Sequence, residues 1–126
     1  MSLSELLGIK VQTVSPSKVT LSLTISDQLK QPYGLLHGGI NAVLAEHAAS
    51  LGANAALEER GLNQVSVGAD LQIHYLASAR HGELLASAEP IKIGQRLQVW
   101  QVDIYQLPGH VLTAFATVTL ANQTTN

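Results

Sequence analysis

Gln31-Pro-Tyr-Gly-Leu-Leu-His-Gly-Gly39, with the run Ile40 to Leu57 behind it, decides how this 126-residue chain is read. The first part is rich in turn residues. The second has the length of a helix and is apolar on most of its circumference, yet it carries Glu46, Ser50 and Asn54 at steps of four. At ~3.6 residues per turn those side chains stack in one polar line. A carboxylate on an apolar helix is costly to bury unless something pairs with it, so Glu46 predicts a subunit edge or chemistry.

Outward from that stretch, the helix is expected from near Gly38 to about Glu59, with Gly61 as its stop. Alanines at 42, 45, 48, 49, 53, 55 and 56 favour helix and let it lie close against a curved sheet. Upstream, Ser2 to Leu7 predicts a short helix, with Ser2 and Glu5 spaced as a capping box and Gly8 as its end. Ile9 to Val14 and Val19 to Ile25 read as strands. Downstream the period becomes two. Val65, Val67, Ala69, Leu71, Ile73 and Tyr75 are expected on one face, with Ser66, Gly68, Asp70, Gln72 and His74 on the other. Leu84 to Ile93, Leu97 to Tyr105 and Val111 to Leu120 follow as strands, and Pro90 argues for an edge position or a bulge. The polar tail from Asn122 is expected to fray.

Composition narrows the class. Residues 1–126 make one domain long enough for a real core, with 46% apolar and 13% charged residues. A net charge of -2 without a basic block points away from nucleic acid and from anionic membrane. Absence of cysteine removes disulfides, thiolate nucleophiles and cysteine-ligated zinc, and hints at a cytoplasmic address. Met1 to Leu7 lacks the basic start and apolar core of a signal peptide. The long apolar run is interrupted by Asn41, Glu46, His47 and Asn54, so it reads as a buried helix rather than a membrane span. The sum is an α+β chain: five to six antiparallel strands around one long central helix inserted after the second strand. One sheet cannot cover a helix that is apolar nearly all round, so self-association is expected.

Three segments give these elements a family. They are Lys30-Gln-Pro-Tyr-Gly-Leu-Leu-His-Gly-Gly39 with Leu44-Ala-Glu46, then Ser78-Ala-Arg-His-Gly82, then Ile93-Gly-Gln-Arg-Leu-Gln-Val-Trp-Gln101. From Val19 onward the chain resembles the hotdog-fold acyl-CoA thioesterases. The branch it resembles holds the phenylacetate-pathway and 4-hydroxybenzoyl-CoA enzymes, and within it the 1,4-dihydroxy-2-naphthoyl-CoA thioesterase type. The resemblance implies a hotdog fold, hydrolysis of an acyl-CoA thioester, and a homo-oligomer, a dimer or dimer of dimers, with sites between subunits. No cofactor is implied, because coenzyme A is part of the substrate.

Thioester hydrolysis needs donors for the developing oxyanion, a group that attacks or activates water, and a grip on coenzyme A. A helix start offers free N–H groups and a positive dipole end, and a glycine there admits a carbonyl closely. By resemblance, the Gly38 N–H binds the thioester oxygen, His37 shapes the turn, and Gln31, from the neighbouring subunit's loop or its own, contacts the reacting carbonyl end. Glu46, two turns beyond Gly38, is by resemblance the nucleophile or general base, and Ser50 can hydrogen-bond it or the attacking water. Each has a plainer reading: a seam ion pair for Glu46, a back-bonded hydroxyl for Ser50, and a turn-stabilising role for His37. His47 points ~100° away from Glu46 and reads as packing or subunit contact, and Asn54 reads as structural.

In the branch it resembles, a histidine tends to occupy the place of Tyr75. His74 falls one position earlier, on the other face of the strand, which leaves Tyr75 to line the acyl pocket. Tyr33, Leu35 and Trp100 are further candidates for that pocket. No histidine pair has the short spacing of a zinc site, and no metal is expected. Arg80, His81, Lys92 and Arg96 lie in the two turns that the family uses for the nucleotide, with Arg96, beside Gly94, the best single candidate. The competing function is a non-catalytic acyl-CoA-binding sensor on the same fold, and a hotdog hydratase is a lesser one.

Overall fold

A computed structural model describes residues 1–125. The first helix, α1 (Leu3–Leu7), starts as its capping box predicts: the Glu5 backbone N–H donates to Ser2 Oγ at 3.3 Å. It ends at Gly8, whose φ of 81° is the left-handed cap that glycine adopts without penalty. Strands β1 (Lys10–Val14) and β2 (Val19–Thr24) follow, then a single 3-10 turn and the long helix α2 (Gly38–Glu59). Strands β3 (Gln64–Tyr75), β4 (Glu83–Ile93), β5 (Leu97–Leu107) and β6 (Val111–Thr124) complete one sheet in the order β1-β2-β4-β5-β6-β3. All neighbours are antiparallel. The sheet wraps α2, which is the hotdog arrangement expected from the sequence.

Small side chains let the helix sink into the sheet. Ala45, Ala48, Ala49 and Ala53 are fully buried, and Leu44 and Leu57 fill the space beside them. Gly52 faces the indole of Trp100, and a β-carbon there would collide with the Cη2–Cζ3 edge of the ring. Trp100 is wholly buried, with its Nε1 donating to Gln98 Oε1 at 3.0 Å, so it plugs the core beneath the helix. That corrects its assignment to a ligand pocket. The opposite side of α2, with Gly39, Ala42, Val43, Glu46, His47 and Ser50, is only partly covered by this chain.

Among the described residues the sheet has four register shifts, and those in β3 and β4 bear on the sequence reading. In β3, Gly68 pairs with Leu120 and Asp70 with Thr119, so Ala69 is an extra residue. An extra residue shifts the alternation by one. Ser66 and Gly68 therefore face α2 before the bulge, and Leu71, Ile73 and Tyr75 face it afterwards. Val65 and Val67, expected with Leu71, turn outward and are 41% and 40% exposed. In β4, Pro90 pairs with Trp100 and Lys92 with Val99, making Ile91 the extra residue. Pro90 also lies past Ala88, the last β4 residue paired with β2, where a missing N–H costs no ladder bond on that side.

The tail does not fray at Asn122. Strand β6 runs on to Thr124, where it pairs with Gln64, and the Thr125 N–H donates to Asn63 O at 3.1 Å. Asn122 is a hub. Its Oδ1 accepts from Ser66 Oγ at 2.9 Å and Gln98 Nε2 at 3.2 Å, while its Nδ2 donates to the carbonyls of Gly94 and Gln95. Polarity at Asn122 marks a satisfied, half-buried network rather than a solvated end. Strands β1 and β3 are the edges of the sheet, and among the described residues no helix is long and apolar enough to cross a membrane.

Candidate active site

The turn before α2 is fixed from several sides. Gln31 N–H donates to Leu35 O at 2.8 Å and Gly34 N–H to Gln31 O at 3.0 Å, a closure that needs the positive φ of 82° at Gly34. Leu36 N–H is held by Ala79 O and His37 N–H by Leu29 O, both at 2.9 Å. His37 is the N-cap, but its side chain makes no capping bond. The helix thus opens with Gly38 in its first turn and no acceptor for the Gly38 N–H among the described residues. Twenty-two residues of aligned peptide dipole end at that point. A β-carbon on Gly38 would stand 3.2 Å from the Tyr75 ring, so Tyr75 closes over the helix start.

Gln31, Gly38 and Tyr75 share a cavity of about 180 Å³ with Asn41, Ser78 and Thr113. His74 points to the other face of the sheet, stacked on Phe115 with ring centroids 4.8 Å apart. Tyr75, not His74, therefore meets the helix.

Glu46 lies in a second cavity of about 340 Å³, with His47, Ser50, Ala42, Val43, Leu71 and Leu3. Across from it is the bare backbone of Gly68, where a β-carbon would stand 3.2 Å from Glu46 Cδ. Among the described residues Glu46 has neither a hydrogen bond nor an ion pair; the chain's ion pairs are Lys18–Glu89 and Lys30–Asp27. Ser50 makes no bond to Glu46, its hydroxyl lying 3.4 Å from Asn54 Nδ2. Asn54 ties the helix to β3: its Oδ1 accepts from Ser66 N–H at 2.9 Å and its Nδ2 donates to Ser66 O at 3.0 Å. His47, expected in packing or subunit contact, shares the Glu46 cavity. A step of 100° on a helix is small enough for one broad groove to take both side chains.

Gly38 and Glu46 do not meet within the chain. They stand eight residues apart, ~12 Å along the helix axis, and line different cavities. The candidate nucleotide residues are also separated. Arg80 lies against the Gly34 turn, with Nη1 3.6 Å from where a Gly34 β-carbon would be. Gly94 and Arg96 sit at the far end of β4, an eleven-residue strand spanning ~35 Å, near Arg60 at the end of α2.

Comparison with known proteins matches residues 33–113 to the family model of the thioesterase superfamily, a span from the turn before α2 to the start of β6. The chain belongs to the thioesterase superfamily. It is accordingly an enzyme, a thioester hydrolase. It is 39% identical over 104 residues, 82% of each chain, to the 1,4-dihydroxy-2-naphthoyl-CoA hydrolase of Listeria monocytogenes. The crystal structure of a Haemophilus influenzae thioesterase superposes with a TM-score of 0.90 at 32% identity, covering 98% of this chain and 83% of that one. A Staphylococcus aureus thioesterase has been solved with a glutamine replaced by alanine, at 29% identity and a TM-score of 0.88, covering 96% of this chain and 98% of that one. The same protein has been solved with a glutamate replaced by alanine, at 28% identity and a TM-score of 0.90, covering 97% of this chain and 98% of that one.

Proposed function

We propose that this thioesterase hydrolyses an aromatic or medium-size acyl-CoA to the free acid and CoA at sites shared between two subunits. In each site one subunit supplies the Gly38 N–H and Gln31, and the other supplies Glu46 with Ser50 beside it. The observation that carries this reading is the separation of the two groups. An oxyanion donor and a base or nucleophile must both come within ~3 Å of one carbonyl group. Glu46 and Gly38 of one chain stand in different cavities, so two copies complete the site. The uncovered side of α2 and the long edge of β3 offer the surfaces for pairing. A dimer, paired again into a tetramer, is the assembly we assign.

The chemistry then follows from the parts. The Gly38 N–H and the helix dipole hold the carbonyl oxygen as it becomes an oxyanion. In the general-base form Glu46 takes a proton from water as the water oxygen bonds to the carbonyl carbon. Collapse of the tetrahedral intermediate breaks the C–S bond and releases the CoA thiolate, which is then protonated. In the nucleophilic form a Glu46 oxygen bonds to the carbon, the thiolate leaves, and water cleaves the mixed anhydride. The two Staphylococcus substitutions fall fifteen positions apart in that chain, the same separation as Gln31 and Glu46 here, which supports pairing these two residues in one site.

Cavity size supports the acyl class. A space of about 150 Å³ admits benzene, and the Glu46 cavity of about 340 Å³ has Ala42, Val43, Leu71 and Leu3 as apolar walls. The naphthoyl-CoA hydrolase among the similar proteins agrees with an acyl group of that size. Arg80 and Arg96 are assigned to coenzyme A phosphates, from different subunits given their distance apart. The test is a panel of aroyl-CoA and aliphatic acyl-CoA thioesters followed with a thiol reagent, for wild type and Glu46→Gln. A Glu46→Gln enzyme as fast as wild type ends this mechanism.

A further inference from the structure

Among the described residues four polar side chains are buried, and three are satisfied. Ser66 and Gln98 belong to the Asn122 network, and Thr113 Oγ1 donates to Ile104 O at 3.2 Å. The fourth, Asn41, is 8% exposed, and its Oδ1 is buried without a hydrogen-bond partner. Native chains keep few such atoms, because hydration is lost and nothing is gained in return. Nothing about the fold demands an amide here, since neighbouring buried positions of the helix are alanine and leucine. Asn41 also lines the cavity behind Gly38, so the uncompensated group belongs to a place where a ligand can enter.

We propose that Asn41 is a positioning residue that receives the amide of the CoA thiol arm nearest the sulfur. The inference rests on the acyl-CoA reading above and adds a contact to it. The cavity is lined by Gly38, the donor assigned to the thioester oxygen. It is also lined by Ala77, Ser78 and Ala79, which lead directly into Arg80, assigned to phosphate. A ligand with its thioester at Gly38 and its charged end at Arg80 lays its connecting arm between them. That arm carries secondary amides, each with one donor and one acceptor, and a primary amide side chain offers the complement of both. Helical side chains lean toward the N-terminus, so Asn41 overlies the turn that Gly38 begins. Three residues are ~4.5 Å of rise, a span that suits the two methylene groups between the sulfur and the first amide.

The test uses Asn41→Leu and Asn41→Ala with three benzoyl thioesters. Benzoyl-CoA and the N-acetylcysteamine ester retain the first amide, and S-ethyl thiobenzoate lacks it. Both variants should lose about 10- to 100-fold in kcat/KM on the first two and stay within about 2-fold on the third. The melting temperature of Asn41→Leu should rise above wild type, because the unpartnered oxygen is gone; a structural asparagine would lower it. Equal losses on all three esters, or no loss on benzoyl-CoA, overturn the proposal. If Asn41→Leu does not fold, Asn41→Ala decides alone. If wild type hydrolyses none of the three, the acyl-CoA reading fails, and calorimetry with free CoA decides the contact separately. Tenfold weaker CoA binding by Asn41→Ala then supports it, and equal binding refutes it.

Discussion

Replacing Gly38 by proline deletes one backbone N–H and nothing else that the helix needs. Gly38 is the first residue of α2, where proline is well tolerated because that N–H has no intrahelical partner. The preceding residue already has the geometry proline imposes: His37 lies at φ -60° and ψ 130°, in the extended region required before proline. The added ring atoms do meet Tyr75, whose ring would be 3.2 Å from a new β-carbon. Tyr75 is 54% exposed, so its side chain can swing outward. Gly38→Ala controls for that contact, since it adds the β-carbon and keeps the N–H. If the N–H binds the oxyanion, its loss removes an interaction made mainly in the transition state, about 2.7–4 kcal/mol, or 10²–10³ in kcat. Gly38→Pro should therefore fall about 100- to 1000-fold in kcat with little change in KM, while Gly38→Ala stays within about tenfold of wild type. Denaturant unfolding of all three should agree within about 1 kcal/mol. Steady-state hydrolysis of benzoyl-CoA reads the effect. A proline variant as active as the alanine variant would show that this N–H does not hold the oxyanion.

Three other substitutions test how the fold sets the site. Gly68→Ala places a methyl 3.2 Å from Glu46 Cδ and forces the carboxylate to shift by a few tenths of an ångström. Since a 1 Å displacement can cost about 100-fold, kcat should drop about 10-fold while thermal unfolding stays within about 2 °C of wild type; full activity would mean that Gly68 does not position Glu46. Gly52→Ala should lower the melting temperature by several degrees, because collision with the buried Trp100 ring exceeds the ~1 kcal/mol gain in helix propensity. A rise in melting temperature would show that Trp100 can move aside. Asn122→Ala leaves Ser66 and Gln98 short of an acceptor and should cost about 2–3 kcal/mol in denaturant unfolding, against near zero for a frayed tail.

The long helix, its stop, the six strands and the turn before Gly38 were legible because each rests on local chemistry. Glycine ends α1 and α2, and period-two runs of branched residues mark the strands. The bulge at Ala69 was not legible, since nothing in Val67-Gly-Ala-Asp70 distinguishes an extra residue from a continuing alternation; Gly68, bare beside Glu46, was the available hint. Asn122 misled for a general reason: polar residues at a chain end look alike whether water or a buried network satisfies them. Trp100 could equally fill a core or line a pocket, and only the glycine facing it on α2 decides. The candidate site was legible as a set of residues through the turn motif and the steps of four along the helix. Its division between two cavities was not, because sequence spacing gives a distance along the helix but not what surrounds each end.

The shared site is the central claim, and subunit mixing tests it most directly. Gly38→Pro and Glu46→Gln each disable a different half, so each homo-oligomer should be nearly inactive. In a mixed dimer one site joins the intact Gly38 of one subunit to the intact Glu46 of the other, and the second site carries both defects. Random exchange of equal amounts should restore about a quarter of wild-type activity, as half the dimers are mixed and each has one working site. A mixture as inactive as its parents, with exchange verified by mass spectrometry, would contradict the account and place both groups in a site that one chain completes alone.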